Sequence, residues 1–153
     1  MQDILIMLRV LINDIAGTTY SEDSLTRLAL TSAIIVKKEL YFEQEYTVNL
    51  QLLTISPDPE EDFTLFVSHK AAILLLSSEM RTKTSQSIKI VDGPSTIDLS
   101  NISKDMKSLL DFLTAQYDRM KLDFTLHANN QGSFGYAIMT PTTVEYIPGS
   151  VFS

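Results

Sequence analysis

The chain has 153 residues, 44% of them apolar and 20% charged, with a formal charge of −7 and a pI near 4.7. That is enough for one globular domain, which buries roughly 68–70% of the surface its unfolded chain exposes. Membrane spans, which need ~18 uninterrupted apolar residues, are excluded. So is general nucleic-acid binding, which displaces counterions with clustered lysine and arginine, because no basic run here exceeds Lys37-Lys38.

Cysteine is absent, which removes disulfides and thiolate metal sites and fits a reducing compartment. The N-terminus lacks the basic flank and small-residue cleavage site of a signal peptide, so Asn101-Ile102-Ser103 reads as a chance match to a glycosylation acceptor.

The first forty residues read as two amphipathic helices. Ile4, Leu8, Leu11, Ile12 and Ile15 recur at helical steps on one side of the first. Gly17 is its expected stop, since glycine takes the left-handed C-terminal position without steric cost. The next helix has two candidate caps, Thr19 in a capping box with Glu22, or Ser21 followed by acids near the positive end of the helix dipole. Leu25, Leu28, Ala29, Ser32, Val36 and Leu40 mark its face, and Lys37 and Lys38 sit where positive charge favours a C-terminus. The pair predicts a helical hairpin with one shared apolar seam.

After an aromatic shoulder over 41–46, the period changes. Val48, Leu50 and Leu52 alternate with Thr47, Asn49 and Gln51, which predicts a half-buried strand over 47–55. Residues 56–62 combine Pro57 and Pro59 with Asp58, Glu60, Glu61 and Asp62, a turn leading into a helix whose positive end receives the acids. Calcium loops space their ligands through a glycine-containing turn, so a solvated helix start is favoured over a metal site.

A third helix is predicted over 63–81. Phe66, Ala71, Ile73, Leu74 and Leu75 cover more than one face, which makes it the most buried element. His69 within it reads as a hydrogen-bonded structural residue, remote in sequence from the other histidine, His127. Residues 81–87 read as a polar loop, 88–91 as a short strand, and Asp92-Gly93-Pro94 as a turn. A fourth helix, capped by Asp98, Ser100 or Ser103, carries Met106, Leu109, Leu110, Leu113, Tyr117 and Met120 on its apolar face. Lys104, Asp105, Lys107, Asp111, Asp118 and Arg119 form an ordinary solvated face.

Residues 122–139 read as a hairpin in which Phe124, Leu126 and Ala128 alternate, Asn129-Asn130-Gln131-Gly132 turns, and Phe134, Tyr136 and Ile138 alternate again. The segment 140–153 carries Val144, Tyr146, Ile147, Val151 and Phe152. Leaving such side chains in water costs ~25 cal/mol per Å² of apolar surface. The segment is therefore expected to pack back on its own domain or to dock on a partner. The fold expected is mainly α, a four-helix bundle core with a small β-hairpin or strand elaboration over 1–139 and an extended C-terminal arm over 140–153.

Catalytic constellations are missing from the sequence. Gly132-Ser133-Phe134-Gly135 is not a nucleophile elbow, which needs glycine two places before and two places after the serine. The carboxylate pairs Asp58/Asp62 and Glu60/Glu61 lack any sign of the burial that would separate their pKa values. No cofactor and no metal site is expected, and an unfamiliar small hydrolase remains only a residual reading.

The segment Leu8-Arg9-Val10-Leu11-Ile12-Asn13-Asp14, a short turn, Tyr20-Ser21-Glu22-Asp23-Ser24-Leu25, and a helix with Ala29, Ser32, Ala33 and Lys38-Glu39-Leu40 resembles the opening of head-to-tail connector (adaptor, or head-completion) proteins of tailed bacteriophages. Asp92-Gly93, Ile97-Asp98 and the long helix to Tyr117 resemble the family's second half. The likeness covers 1–40 and, more weakly, 89–120. The strand after Tyr46 and the extended C-terminus depart from the compact members.

The resemblance implies a non-enzymatic virion protein of the neck, made in the host bacterial cytoplasm and assembled as a dodecameric ring under the portal protein. Such a ring extends the DNA channel, lets DNA pass without reading its sequence, and offers a platform to a neck or tail completion protein. Val144, Tyr146, Ile147, Val151 and Phe152, with Phe134 and Tyr136, become the candidate residues for binding the portal or a neighbouring subunit. An acidic lumen would be consistent with the −7 charge. The alternative reading is a soluble helical protein-binding or regulatory module without ring assembly, its tail filling a groove or adding to a sheet.

Overall fold

The computed structural model describes residues 1–87 and 99–131, with side chains for 1–82 and 104–127. Four helices and one antiparallel β-hairpin make up the described chain: α1 (Gln2–Leu11), α2 (Glu22–Glu39), β1 (Thr47–Asn49), β2 (Thr54–Ser56), α3 (Glu61–Ser87) and α4 (Leu99–Gln131). The mainly helical bundle with a small β elaboration is therefore the observed fold. The predicted 88–91 strand and the 92–94 turn lie outside the described residues, as do Phe134, Tyr136 and the whole 140–153 arm with Val144, Tyr146, Ile147, Val151 and Phe152.

The bundle is organised around α3, which packs against each of the other helices, whereas α1 and α2 meet each other less than either meets α3. The single seam expected between the first two helices is therefore corrected to two separate seams on α3. An apolar sequence on several sides explains this: Phe63, Phe66, Val67, Ala71, Ala72 and Leu76 are all buried. A helix with that pattern needs partners all round. Ser68 and Phe66 point to opposite sides at 3.6 residues per turn. The Ser68 hydroxyl donates to the Ile4 carbonyl oxygen of α1, while Phe66 meets Tyr117 of α4 edge-on. Hence α1 and α4 flank α3 from opposite sides.

Ser21 is the cap of α2, its hydroxyl accepting the Ser24 N–H, and Thr19 is not. The α2 face is also wider than the spacing suggested, because Leu30 and Ala33 join Leu25, Ala29, Ser32 and Val36 in the core.

Gly17 is not the stop of α1. The helix ends at Leu11, and Asn13 takes the left-handed conformation (φ 57°) that turns the chain away. Asparagine tolerates this region better than other side chains do. Ile15 consequently leaves the apolar face and is 72% exposed. Gly17 is left-handed too (φ 68°), deeper in the loop, where a Cβ would approach the Arg9 guanidinium to 3.0 Å.

The strand expected over 47–55 is instead a tight hairpin. Thr47 pairs with Ser56, Val48 with Ile55 and Asn49 with Thr54. The Asn49 side-chain oxygen accepts the N–H groups of Gln51 and Leu52, an Asx turn that competes with strand continuation. Leu53 closes the turn at φ 53°. Leu50 and Leu52, assigned by alternation to a buried face, are 54% and 72% exposed at the tip.

Two helices run further than their polarity suggested. Residues 81–87, read as a loop, continue α3 to Ser87. No glycine or proline interrupts them, and the Thr82 hydroxyl finds a partner inside the helix, donating to the Ser78 carbonyl. The expected 122–139 hairpin is likewise overturned for its described part, since 122–131 is the last third of α4. Phe124 packs at 5.3 Å from Phe66 and 5.2 Å from Phe42 between ring centroids. It continues the steps of three and four already made by Leu113, Tyr117 and Met120, and that packing outweighs a three-residue alternation.

Candidate functional site

The chemistry-bearing side chains of the described residues fall into three clusters. In the first, Asp14 is only 4% exposed. Its carboxylate accepts the backbone N–H groups of Thr18, Thr19 and Tyr20 at 3.0, 3.1 and 3.2 Å, and Arg9 Nη1 donates to it at 2.9 Å. Burial works to raise the Asp14 pKa, but hydrogen bonds from Thr19, Tyr20 and Thr18 outweigh it and hold the carboxyl below its ordinary range. The Tyr20 hydroxyl, in turn, donates to Glu79 on α3. The Asp14 carboxylate is taken up by Arg9 of α1 and by its own loop, so this is a staple, not a free acid.

The second cluster joins three helices at Glu39. Lys70 Nζ of α3 lies 2.6 Å from Oε1, the Tyr117 hydroxyl of α4 donates to Oε2 at 2.7 Å, and Lys121 Nζ stands 3.5 Å away. Lys70 also lies over the Tyr117 ring, 4.9 Å from its centroid, a cation–π contact. Partial burial pushes the Glu39 carboxyl up, and the Lys70 and Tyr117 hydrogen bonds more than reverse it, leaving a lowered pKa. Tyr117 is pushed well above the ordinary phenol value, first by burial and then by its bond to Glu39. A phenol that resists ionisation beside a carboxylate that resists protonation is suited to holding helices together. It is poorly suited to moving protons near neutral pH.

The third is His69, buried as expected of a structural histidine. Its Nδ1 bonds the Leu65 carbonyl at 3.0 Å, and its Nε2 is buried with no partner. Among the described residues no group of three His, Asp or Glu side chains could hold a metal ion with it. The acids Asp58, Glu60, Glu61 and Asp62 are all exposed around the start of α3, where Glu61 and Asp62 occupy its first turn. They have the solvated helix-start setting the sequence implied.

Protonation has a definite sign in this arrangement. Asp14 and Glu39 both have folded-state pKa values below their unfolded ones. Their contribution to stability is therefore complete above the unfolded carboxylate value of about 4 and is lost as pH falls through the lower folded value. Urea midpoints measured from pH 6 to pH 2 should be flat down to about pH 5 and then fall. In Glu39→Gln and Asp14→Asn the fall should be shallower, starting from a lower plateau.

The remaining candidate is apolar surface. Ile6 and Val10 on α1 are each 57% exposed, while Phe112, Leu122 and Leu126 on α4 are 62%, 60% and 49% exposed. On α1 these two fall opposite the buried Ile4, Leu5 and Leu8. On α4 the three fall opposite Leu113, Tyr117 and Phe124. No described helix is long and apolar enough to cross a membrane, so these stripes are not lipid-spanning. The candidate partner residues chosen from sequence, Phe134 through Phe152, lie outside the described residues. A period count over α4 could have found its second stripe, because Phe112, Ala115, Arg119, Leu122 and Leu126 alternate steps of three and four like the core face. No protein-family model, curated protein or solved structure matches the chain.

Proposed function

We propose that this protein is a structural head-to-tail connector of a tailed bacteriophage. It assembles as a ring, docks on the portal protein, extends the DNA channel and links it to the neck or tail. One observation carries the reading: apolar stripes occupy opposite sides of α3, on α1 and on α4. A cyclic ring is built from two different patches per subunit, one for each neighbour, whereas a monomer gains nothing by keeping both in water. The acidic balance supports passage of DNA without adhesion, since like charges repel.

The reading assigns no catalytic residue, metal or cofactor. It assigns Phe134, Tyr136, Val144, Tyr146, Ile147, Val151 and Phe152 to the portal or a neighbouring subunit, in a virion neck assembled from protein made in the host cytoplasm.

Electron microscopy and mass measurement of the purified chain, alone and with portal rings, test this. Rings on the portal are expected; a strict monomer that never assembles there overturns the reading. Deleting 142–153 separates it from a ring-free protein-binding module. Loss of portal binding with an intact fold favours the connector, whereas unfolding assigns the segment to the core.

A further inference from the structure

The two apolar stripes carry matching patterns. On α1, Asp3, Ile6 and Val10 are exposed and follow steps of three and then four. On α4, Arg119, Leu122 and Leu126 are exposed and follow the same steps. Spacing of this kind is the seam by which helices pack knobs into holes. The only ion pairs among the described residues are Arg9–Asp14, Lys70–Glu39 and Lys121–Glu39, so Asp3 and Arg119 both stand without an ionic partner.

We infer that α1 of one copy packs in parallel on the C-terminal half of α4 of the next, setting Asp3 against Arg119, Ile6 against Leu122 and Val10 against Leu126. The occupant of each stripe is thus a second copy of this chain. Complementarity selects the direction and the register. Run antiparallel over the same turns, the stripes set Ile6 or Val10 against Arg119 and Asp3 against a leucine; run antiparallel with Asp3 kept on Arg119, they set Ile6 on the single methyl of Ala115 and Val10 on Phe112. Shifted by one heptad in the parallel sense, they set Asp3 against Phe112 and Val10 against Arg119. Only the stated register both pairs the acid with the base and sets Ile6 and Val10 on leucines, and burying a charge against an apolar surface is costly.

The geometry also suits chain-to-chain propagation. The α1 stripe and the α4 stripe lie on opposite sides of α3, so one copy cannot satisfy its own pair and each copy offers one stripe to either neighbour. This inference rests on the connector reading for ring closure, but the helix pairing is testable without it.

The chain has no cysteine, which makes disulfide trapping unambiguous. Ile6→Cys and Leu122→Cys are made as separate full-length variants, each checked for native helicity, and oxidised alone and as an equimolar mixture at about 1 mM, where even weak contacts populate. A covalent dimer in the mixture, and in neither variant alone, is expected. Self-dimers of the single variants with no heterodimer would indicate a two-fold contact between like helices and overturn the inference. So would an unlinked mixture, the result expected if the chain's own C-terminal segment covers α4.

Charge reversal supplies the second measurement. Asp3→Arg and Arg119→Asp should each weaken self-association at least about fivefold, and the double variant should restore it; failure of the double variant to recover overturns the pairing. Rings seen by microscopy without the cross-link would leave the connector reading standing and remove this interface. The cross-link without rings would do the reverse.

Discussion

Phe63→Ala is expected to lower the unfolding free energy by about 3–5 kcal/mol, the usual loss when a fully buried phenylalanine is truncated. Phe63 is 0% exposed at the start of α3. Its ring stacks on Tyr46 with centroids 4.0 Å apart and planes at 20°, and it meets the edge of Phe42 at 5.1 Å. Aromatic pairs of these geometries add about 0.5–1.5 kcal/mol beyond the area they bury. Tyr46 is itself a fixture, since the Glu60 N–H donates to its hydroxyl at 3.2 Å. Removing the Phe63 ring therefore loosens the joint between the β-hairpin and the entry to α3 as well as the core. A domain typically has only about 5–15 kcal/mol to lose. Urea denaturation followed by circular dichroism should show a large fall in midpoint, and Phe42→Ala, at a half-buried position, should show a smaller one. Equal losses would mean the stacked pair has no special share in the core.

Ala33→Leu is the second large effect, in the opposite steric sense. Ala29 and Ala33 on α2, and Ala71 and Ala72 on α3, are all 0% exposed, small side chains on the buried faces of two helices that pack together. Small residues let helix backbones approach, and a close-packed interior has no room for three added carbons. The cost of such overpacking is about 1–3 kcal/mol and rises where the backbone must move. Thermal unfolding of Ala33→Leu should show a lower Tm. The control Thr31→Leu, two residues away and so on the exposed side, should leave Tm nearly unchanged.

The helices were legible because their apolar spacing, caps and dipole-favouring charges all point the same way. Ser21 with Glu22 and Asp23 is the clearest case, and α2 begins at Glu22 as that punctuation requires. The hairpin at 47–56 was not legible, because Val48, Leu50 and Leu52 keep strand alternation while the Asn49 side chain bends the backbone beneath them. The end of α4 was misread for a related reason: Phe124, Leu126 and Ala128 fit a period of two locally. Phe124 also continues the steps of three and four from Leu113, Tyr117 and Met120, and its contacts with Phe66 and Phe42, far away in sequence, decide for the helical period. The Glu39 knot was invisible, since nothing local links a glutamate on α2 to Lys70, Tyr117 and Lys121. The second stripe on α4 was in plain view as spacing, but Arg119 was assigned to the solvated face and Leu122 and Leu126 fell in the predicted hairpin.

The bond from Ser68 to the Ile4 carbonyl spans 64 positions of chain. During synthesis at about 5–20 residues per second, the first helix therefore emerges several seconds before the surface that shelters it exists. Through that interval Ile4, Leu5 and Leu8 are open to water and to any chaperone that samples nascent chains. The order in which this polypeptide is made thus differs from the order in which it can become stable, and α3 sets the moment at which α1 becomes committed.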